Sequence, residues 1–311
     1  MSQRNLLSLS DMQAADITYI IERTLQRKNG KLDHECSLQG KAVGIYFRKT
    51  STRTRTAFTL GASKLGASVI TYGPADLQTN TGETLQDTAR VLSGYIDALV
   101  LRTAEGLDEM KILAAQEHMS VINAMSDKEH PTQALTDLAT MQEYFGHLDD
   151  LHILYLGEGN STAAALALAI SRIPTMKLTL LTPAGYGLPE EIYSQARAFA
   201  DQHGASLEEY HTLDALPGSA DVIYTARWQT TGSSKADPNW LQHFCPFSVT
   251  PALMKRVAKS TGTIFMHDLP AVRHEEVAPE VLDGPQSIAF HQARNKLFGA
   301  MATLEWCLLG Y

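Results

Sequence analysis

Cysteine is scarce in this chain of 311 residues: Cys36, Cys245 and Cys307 are too few and too far apart for a disulfide framework or a zinc-ligand spacing. They read as buried or incidental thiols of a reducing compartment. Long apolar runs are also missing. The amino-terminal MSQRNLLSLSDM has no apolar signal core and no window reaches the length of a membrane span, so a cytoplasmic location is expected and a membrane partner is not. Basic residues do not predominate. With 26 Lys and Arg against 34 Asp and Glu, the formal net charge is −8, a field that repels nucleic acid and makes any anion site a local exception. Low-complexity tracts and repeats of solenoid period are lacking too. What is present is a 44% hydrophobic content with 19% charged residues, enough to bury a core, in a length more usual for two domains than for one.

Apolar runs of strand length alternate with segments of helical periodicity. Ser10, with Gln13 three residues on, predicts an N-cap for a helix over DMQAADITYIIERTLQRK that stops near Asn29-Gly30. Strands AVGIYF, ASVITY, DALVLR and MSVIN then alternate with helices at Thr52 to Leu65, Glu83 to Tyr95, Leu107 to Glu117 and Pro131 to about Phe145. After the polar GHLDD the rhythm restarts with LHILYLG, a small-residue helix from about Asn160, KLTLLTP, a helix over Glu190 to Gln202, DVIYTA and GTIFMHDLP. The expected fold is α/β, with two doubly wound parallel-sheet domains over residues 1–146 and 147–288. A long C-terminal helix, 289–311, is expected to pack back on the first domain.

The tract FRKTSTRTRTAF, Phe47 to Phe58, puts hydroxyls and arginines at the junction of a strand and a helix. In parallel sheets ligands bind outside the carboxyl ends of strands, where the next helix offers free N–H groups and a positive dipole. Ser51, Thr52 and Thr54 add hydroxyl donors, and Arg53 or Arg55 can present a planar fork to a phosphate. Hydroxyl-rich tracts also cap helices, but a cap does not call for two arginines. HPTQ, His130 to Gln133, places an imidazole and a carboxamide at a helix start with Pro131 in the first turn, and Arg102 closes the run DALVLR. Each alone has an ordinary structural explanation. Together they put anion-binding groups at three strand ends.

STRTR, the Arg102 strand end, HPTQ, and HDLP at His267 to Pro270 resemble, in order and spacing, the aspartate and ornithine carbamoyltransferases. The likeness runs nearly end to end and includes GETLQDTARVL and DVIYTARW. It implies a first domain for carbamoyl phosphate, a second for a small amine acceptor, and a homotrimer with active sites at subunit boundaries. It implies no cofactor, no metal and no covalent enzyme intermediate. By this resemblance Ser51, Thr52, Arg53 and Thr54 hold the phosphate, Arg102, His130 and Gln133 reach the carbonyl and amide ends, and Arg55 supports the loop.

The acceptor half departs from the family. The ENR context of the ornithine enzymes is RNK here, so Lys296 keeps a charge without the guanidinium fork. Their TDVW.SMG is TARWQTTG, with Ala226 in place of the Asp that holds an α-ammonium and Arg227 beside it. Their HCLP becomes HDLP, where Asp268, between His267 and Leu269, can accept from an ammonium or take its proton. Asn160 or Ser161 of LGEGNSTAAA can bind an acceptor carboxylate, and Thr81 replaces the lysine that aspartate enzymes lend to a neighbouring subunit. The leading expectation is a carbamoyltransferase with ornithine as the default acceptor. The alternatives are another amine (an N-acylated ornithine, a diamine or another amino acid), a non-catalytic paralogue that binds carbamoyl phosphate, and a nucleotide-binding protein using GEGN.

Overall fold

The computed structural model describes residues 4–32, 35–103, 105–229, 234–260 and 262–310. The chain divides into two compact units, Met1–Ala139 with Arg294–Tyr311, and Thr140–Ala293.

The first unit opens with helix α1, Ala14–Lys28. Its start differs from the sequence expectation. Ser8 caps a short 3-10 turn, Leu9–Asp11, and Gln13 is the N-cap of α1, its N–H donating to Asp16 Oδ2 at 3.0 Å. A long-range contact decides this: the buried carboxylate of Glu129 accepts from Ser8 Oγ and Leu9 N, at 2.6 and 2.7 Å, and draws the segment into the turn. Strand β1, Ala42–Phe47, leads to helix α2, Arg53–Lys64, then β2, Ser68–Tyr72, and α3, Leu85–Leu92. The unit continues through β3, Ala98–Arg102, α4, Asp108–Ala114, β4, Ser120–Asn123, and α5, Pro131–Phe145.

The four strands are parallel in the order β2-β1-β3-β4. Every residue of β3 is buried, the pattern of a central strand covered on both faces, and Leu99 and Leu101 pack with Ala89 and Leu92 of α3 and Met110 and Leu113 of α4. The chain steps from β1 to β2 on one side and the β2→β3 connection crosses back over β1 to the other, so the sheet has its switch point between β1 and β3, where Phe47 pairs with Arg102.

The second unit carries β5, His152–Leu156, α6, Ser161–Ile170, β6, Lys177–Leu181, α7, Glu190–His203, β7, Ser206–Tyr210, and β8, Val222–Thr225. Helices α8, Trp240–Phe244, and α9, Pro251–Val257, precede β9, Ile264–His267, and α10, Pro279–Leu282. Its parallel order is β7-β6-β5-β8-β9, with the switch point between β5 and β8. The sequence reading did not include β7, whose SLEEY carries two glutamates. It is an edge strand beside β6, where Glu208 reaches solvent and the half-buried Glu209 accepts from Thr182 Oγ1 and Leu188 N. The final helix, α11, Ala289–Leu309, starts in the second unit and ends in the first. There Glu305, fully buried, accepts from both Arg23 and Arg27 of α1. Among the described residues no helix is long and apolar enough to cross a membrane.

Candidate active site

In the first unit, strand order brings the predicted groups to neighbouring positions. STRTR follows the end of β1, Arg102 ends the adjacent β3, and His130 follows the end of β4, the strand beyond. Thr52 stands at the N-cap of α2 but its hydroxyl makes no cap bond, so the tract is not consumed by capping. Ser51 and Arg53 are half-buried, Thr52 is exposed and Thr54 is buried. The other two arginines of the tract have structural duties. Arg48 binds Glu109 at 2.6 Å and Glu105 at 3.3 Å, while Arg55 donates to the Phe47 carbonyl at 3.3 Å and lies over its ring.

His130 is 4% exposed. Burial, aided by the positive charges of Lys296 and Arg102, drives its pKa well below the ordinary value for histidine, so the ring is neutral at neutral pH. A neutral imidazole keeps one N–H to donate. Gln133 follows on the same first turn. Its Nε2 donates to Asp137 Oδ1 at 2.7 Å, and its buried Oε1 has no hydrogen-bond partner among the described residues. Thr54, His130, Gln133 and Lys296 line one cavity of about 10 Å³ with Phe58 and Ala300. That is room for about one water and too little for a substrate. Lys296 comes this close because α11 presses on α5 at Gly299, where a β-carbon would stand 2.3 Å from Thr136 Oγ1. Sequence spacing had not linked Lys296 to His130.

In the second unit the expected acceptor residues also collect around a switch point. GEGN follows β5, Ala226 and Arg227 follow β8, and Asp268 follows β9. Asn160 Oδ1 caps α6, accepting from Thr162 N and Ala163 N at 3.0 and 3.1 Å, while its Nδ2 donates to the Arg227 carbonyl at 3.5 Å. Ala226 is 1% exposed and Arg227 half-buried. Asp268 Oδ2 accepts from Thr162 Oγ1 at 2.8 Å. His267 itself is fully buried. Its Nε2 lies 3.2 Å from Glu276, its Nδ1 accepts from Leu269 N at 2.8 Å, and the ring therefore shapes the turn while Asp268 and Leu269 remain half-buried.

Two groups escaped the sequence reading. Glu129 ties the His130 loop to the amino terminus, and Glu158 of GEGN pairs with Lys235. Their only sequence signal was an acid beside a motif residue. Thr81 is exposed, its hydroxyl donating to the Gln78 carbonyl at 2.8 Å. The side chains of Thr79 and Asn80, and residues 230–232 of TARWQTTG, lie outside the described residues. No three His, Cys, Asp or Glu side chains gather as a metal site among the described residues.

Known proteins share this arrangement. The family model for the carbamoyl-P binding domain of aspartate/ornithine carbamoyltransferases matches residues 4–143, and that for their Asp/Orn binding domain matches residues 149–307. The chain is similar to an ornithine carbamoyltransferase of Bacillus cereus, 38% identical over 304 residues that span 98% of this chain and 94% of that one. The ornithine carbamoyltransferase of Methanobrevibacter smithii is 35% identical over 300 residues, 96% and 98% of the two chains. The solved ornithine carbamoyltransferase from Pyrococcus furiosus superposes with a TM-score of 0.91 at 35% identity, covering 100% of this chain and 98% of that one.

Proposed function

Because the chain belongs to the aspartate/ornithine carbamoyltransferase family, we propose that it transfers the carbamoyl group from carbamoyl phosphate to the side-chain amine of ornithine, giving citrulline and phosphate. One observation carries the reading: at adjacent strand ends, Arg102, a neutral His130 and the orphaned Gln133 Oε1 stand beside the uncapped start of α2.

Each group meets a demand of the reaction. Attack of an amine on the carbamoyl carbon puts negative charge on the carbonyl oxygen, and Arg102 and the neutral N–H of His130 donate to it. Gln133 Oε1 accepts from the carbamoyl NH₂, which is the only donor that end of the substrate has. The leaving phosphate takes the helix start, with Ser51, Thr52, Arg53 and Thr54 as donors. Lys296 adds a positive charge behind the ring. On the acceptor side Asn160 Nδ2 takes the carboxylate, with Arg227, Leu269 and the turn shaped by His267 around it, and Asp268 receives the proton that the ammonium must lose before it can attack.

The reading places the carbamoyl phosphate domain at 1–146, the acceptor domain at 147–288 and the returning helix at 289–311, supported by family matches that leave 144–148 between them. It includes a homotrimer, which a solution mass of three chains would support and an active monomer would refute. It also includes a cytoplasmic location, supported by three cysteines that are all free thiols. Ala226 favours a second reading, in which the acceptor is an amine without a free α-ammonium, such as an Nα-acylated ornithine. Phosphate release from carbamoyl phosphate across a panel of amines separates the two. Ornithine as the best acceptor supports the first reading, and release with no amine at all rejects both.

A further inference from the structure

Ala226 leaves the α-ammonium of an ornithine-like acceptor without the acid expected at that position, and the second unit holds another acid within one strand of it. The parallel register pairs Leu156 with Thr225, so the chain leaving β5 toward Glu158 runs beside the chain leaving β8 toward Ala226 and Arg227. Glu158 is half-buried, with Oε1 bound to Lys235 Nζ and a buried Oε2 that has no hydrogen-bond partner among the described residues. A buried carboxylate with half its acceptor capacity unused is an expensive arrangement unless something occupies it.

Lys235 shows what kind of group fits. Its side chain is 8% exposed, and its ammonium lies 5.0 Å from the ring centre of Phe244, 5.1 Å from that of Tyr186 and 5.4 Å from that of Trp240. Three aromatic faces and one carboxylate around an ammonium form a cation cage. The cage is stiff, since Phe244 packs edge-on against both Tyr186 and Trp240. It is also continuous with the strand ends, because Phe244 packs on Trp228 at 5.4 Å and Trp228 lies within 3.1 Å of a β-carbon built on Gly157. Lys235 itself sits on irregular backbone, bound into no helix or strand. Its ammonium stands in for a ligand's ammonium, and exchange of one for the other conserves both the charge and the aromatic contacts.

We propose that the cage of Tyr186, Trp240 and Phe244, with Glu158 at its rim, is the site for the acceptor's α-ammonium, and that Lys235 is its resident occupant, which yields to the acceptor. The proposal rests on the reading of the chain as a carbamoyltransferase for an amino-acid amine, but the cage is testable without turnover. Lys235→Met removes the resident ammonium and leaves the cage and Glu158 without a cation. Titration of that variant with tetramethylammonium, followed by quenching of indole fluorescence, is expected to saturate, and the Lys235→Met/Glu158→Gln double variant is expected to bind at least tenfold more weakly. Absence of saturable binding in Lys235→Met overturns the cage.

Kinetics test the acceptor role. Glu158→Gln is expected to raise KM for ornithine at least tenfold and change kcat and KM for carbamoyl phosphate less than threefold, and Lys235→Met to lower the ornithine KM several-fold by removing a competitor. KM for Nα-acetylornithine, which has no α-ammonium, should move with neither. If Lys235 only fastens the chain, its loss lowers the melting temperature and leaves the ornithine KM alone, which overturns the proposal. Should Glu158→Gln fail to fold, Trp240→Leu trims the cage from its half-buried side and is held to the same KM shift. Wild-type turnover of ornithine with an unmoved Glu158→Gln KM rejects the inference and keeps the proposed function. Tetramethylammonium binding without turnover of any amine rejects the function and the acceptor assignment, and leaves a cation site.

Discussion

Gln133 and Asp137, one helical turn apart on α5, form a hydrogen bond of 2.7 Å that decides which way the Gln133 amide faces. A carboxylate only accepts, so the NH₂ must point to Asp137 and the carbonyl oxygen away from it. Asp137→Ala is predicted to lose that orientation and lower kcat/KM for carbamoyl phosphate about tenfold, or ~1.4 kcal/mol. Unchanged kinetics in a folded variant would show that Gln133 needs no such support.

Arg53 sits half-buried in the first turn of α2, beside the Thr52 hydroxyl, which is not spent on capping. We predict that Arg53→Ala lowers kcat/KM for carbamoyl phosphate about a thousandfold, roughly 4 kcal/mol of charge-assisted contact, without moving the melting temperature. Activity near wild type would remove the phosphate assignment.

Asp268 accepts a hydrogen bond from Thr162 Oγ1 at 2.8 Å, a neutral donor that orients the carboxylate and leaves it able to serve as a base. Asp268→Asn keeps that hydrogen bond and loses the proton acceptor. The expected result is a fall in kcat of about a hundredfold with every amine tried, and a smaller loss at high pH where the amine is already neutral. A loss confined to KM would mark Asp268 as a binding group only.

His130 makes stability depend on pH in a definite direction. Its native pKa is depressed, by burial first and by Lys296 and Arg102 after it, so between the unfolded value near 6.5 and the lower native value the unfolded chain binds a proton that the native chain does not. The contribution is complete above pH 6.5 and is lost as pH falls toward the native value. Thermal melts of wild type and His130→Gln across that window should converge as the pH drops. Parallel curves would contradict the assignment.

Glu305 fastens α11 to α1 through Arg23 and Arg27. Burial alone would raise its pKa, but the hydrogen bonds from Arg23, Arg27 and Ser37 outweigh it and hold the carboxyl below the ordinary value. Glu305→Ala is predicted to cost about 3–5 kcal/mol, because it takes from the buried Arg27 its fully buried charge partner and leaves it only the more exposed Glu35. The loss, read from urea midpoints at neutral pH, should shrink as the pH falls below the ordinary value of 4.5, where the unfolded wild-type chain takes up a proton that the native carboxyl does not. A shift under about 1 kcal/mol at neutral pH would place the pair among surface bridges.

The alternation of apolar and periodic segments was enough to mark every strand of the first sheet, because a parallel sheet buries β1 and β3 on both faces and so writes them as unbroken apolar runs such as AVGIYF and DALVLR. The STRTR, HPTQ and HDLP motifs were legible for the same local reason, each lying where a strand hands over to a helix or turn. Strand β7 was not, since an edge strand tolerates the charges of SLEEY. Nor was the true start of α1, which a distant carboxylate, Glu129, sets through Ser8 and Leu9.

Residue order alone determined which chemical groups stand at strand ends. Strand order, a product of long-range pairing, decided which ends are neighbours: β1 beside β3 places Arg102 next to the STRTR tract, and β5 beside β8 sets Glu158 near Ala226. Packing decided the rest. Lys296 reaches His130 because Gly299 lets α11 close on α5, and the ammonium of Lys235 finds Glu158, 77 residues away in the chain, together with three aromatic rings. Such pairings follow from burial and charge in three dimensions, and no spacing in one dimension encodes them.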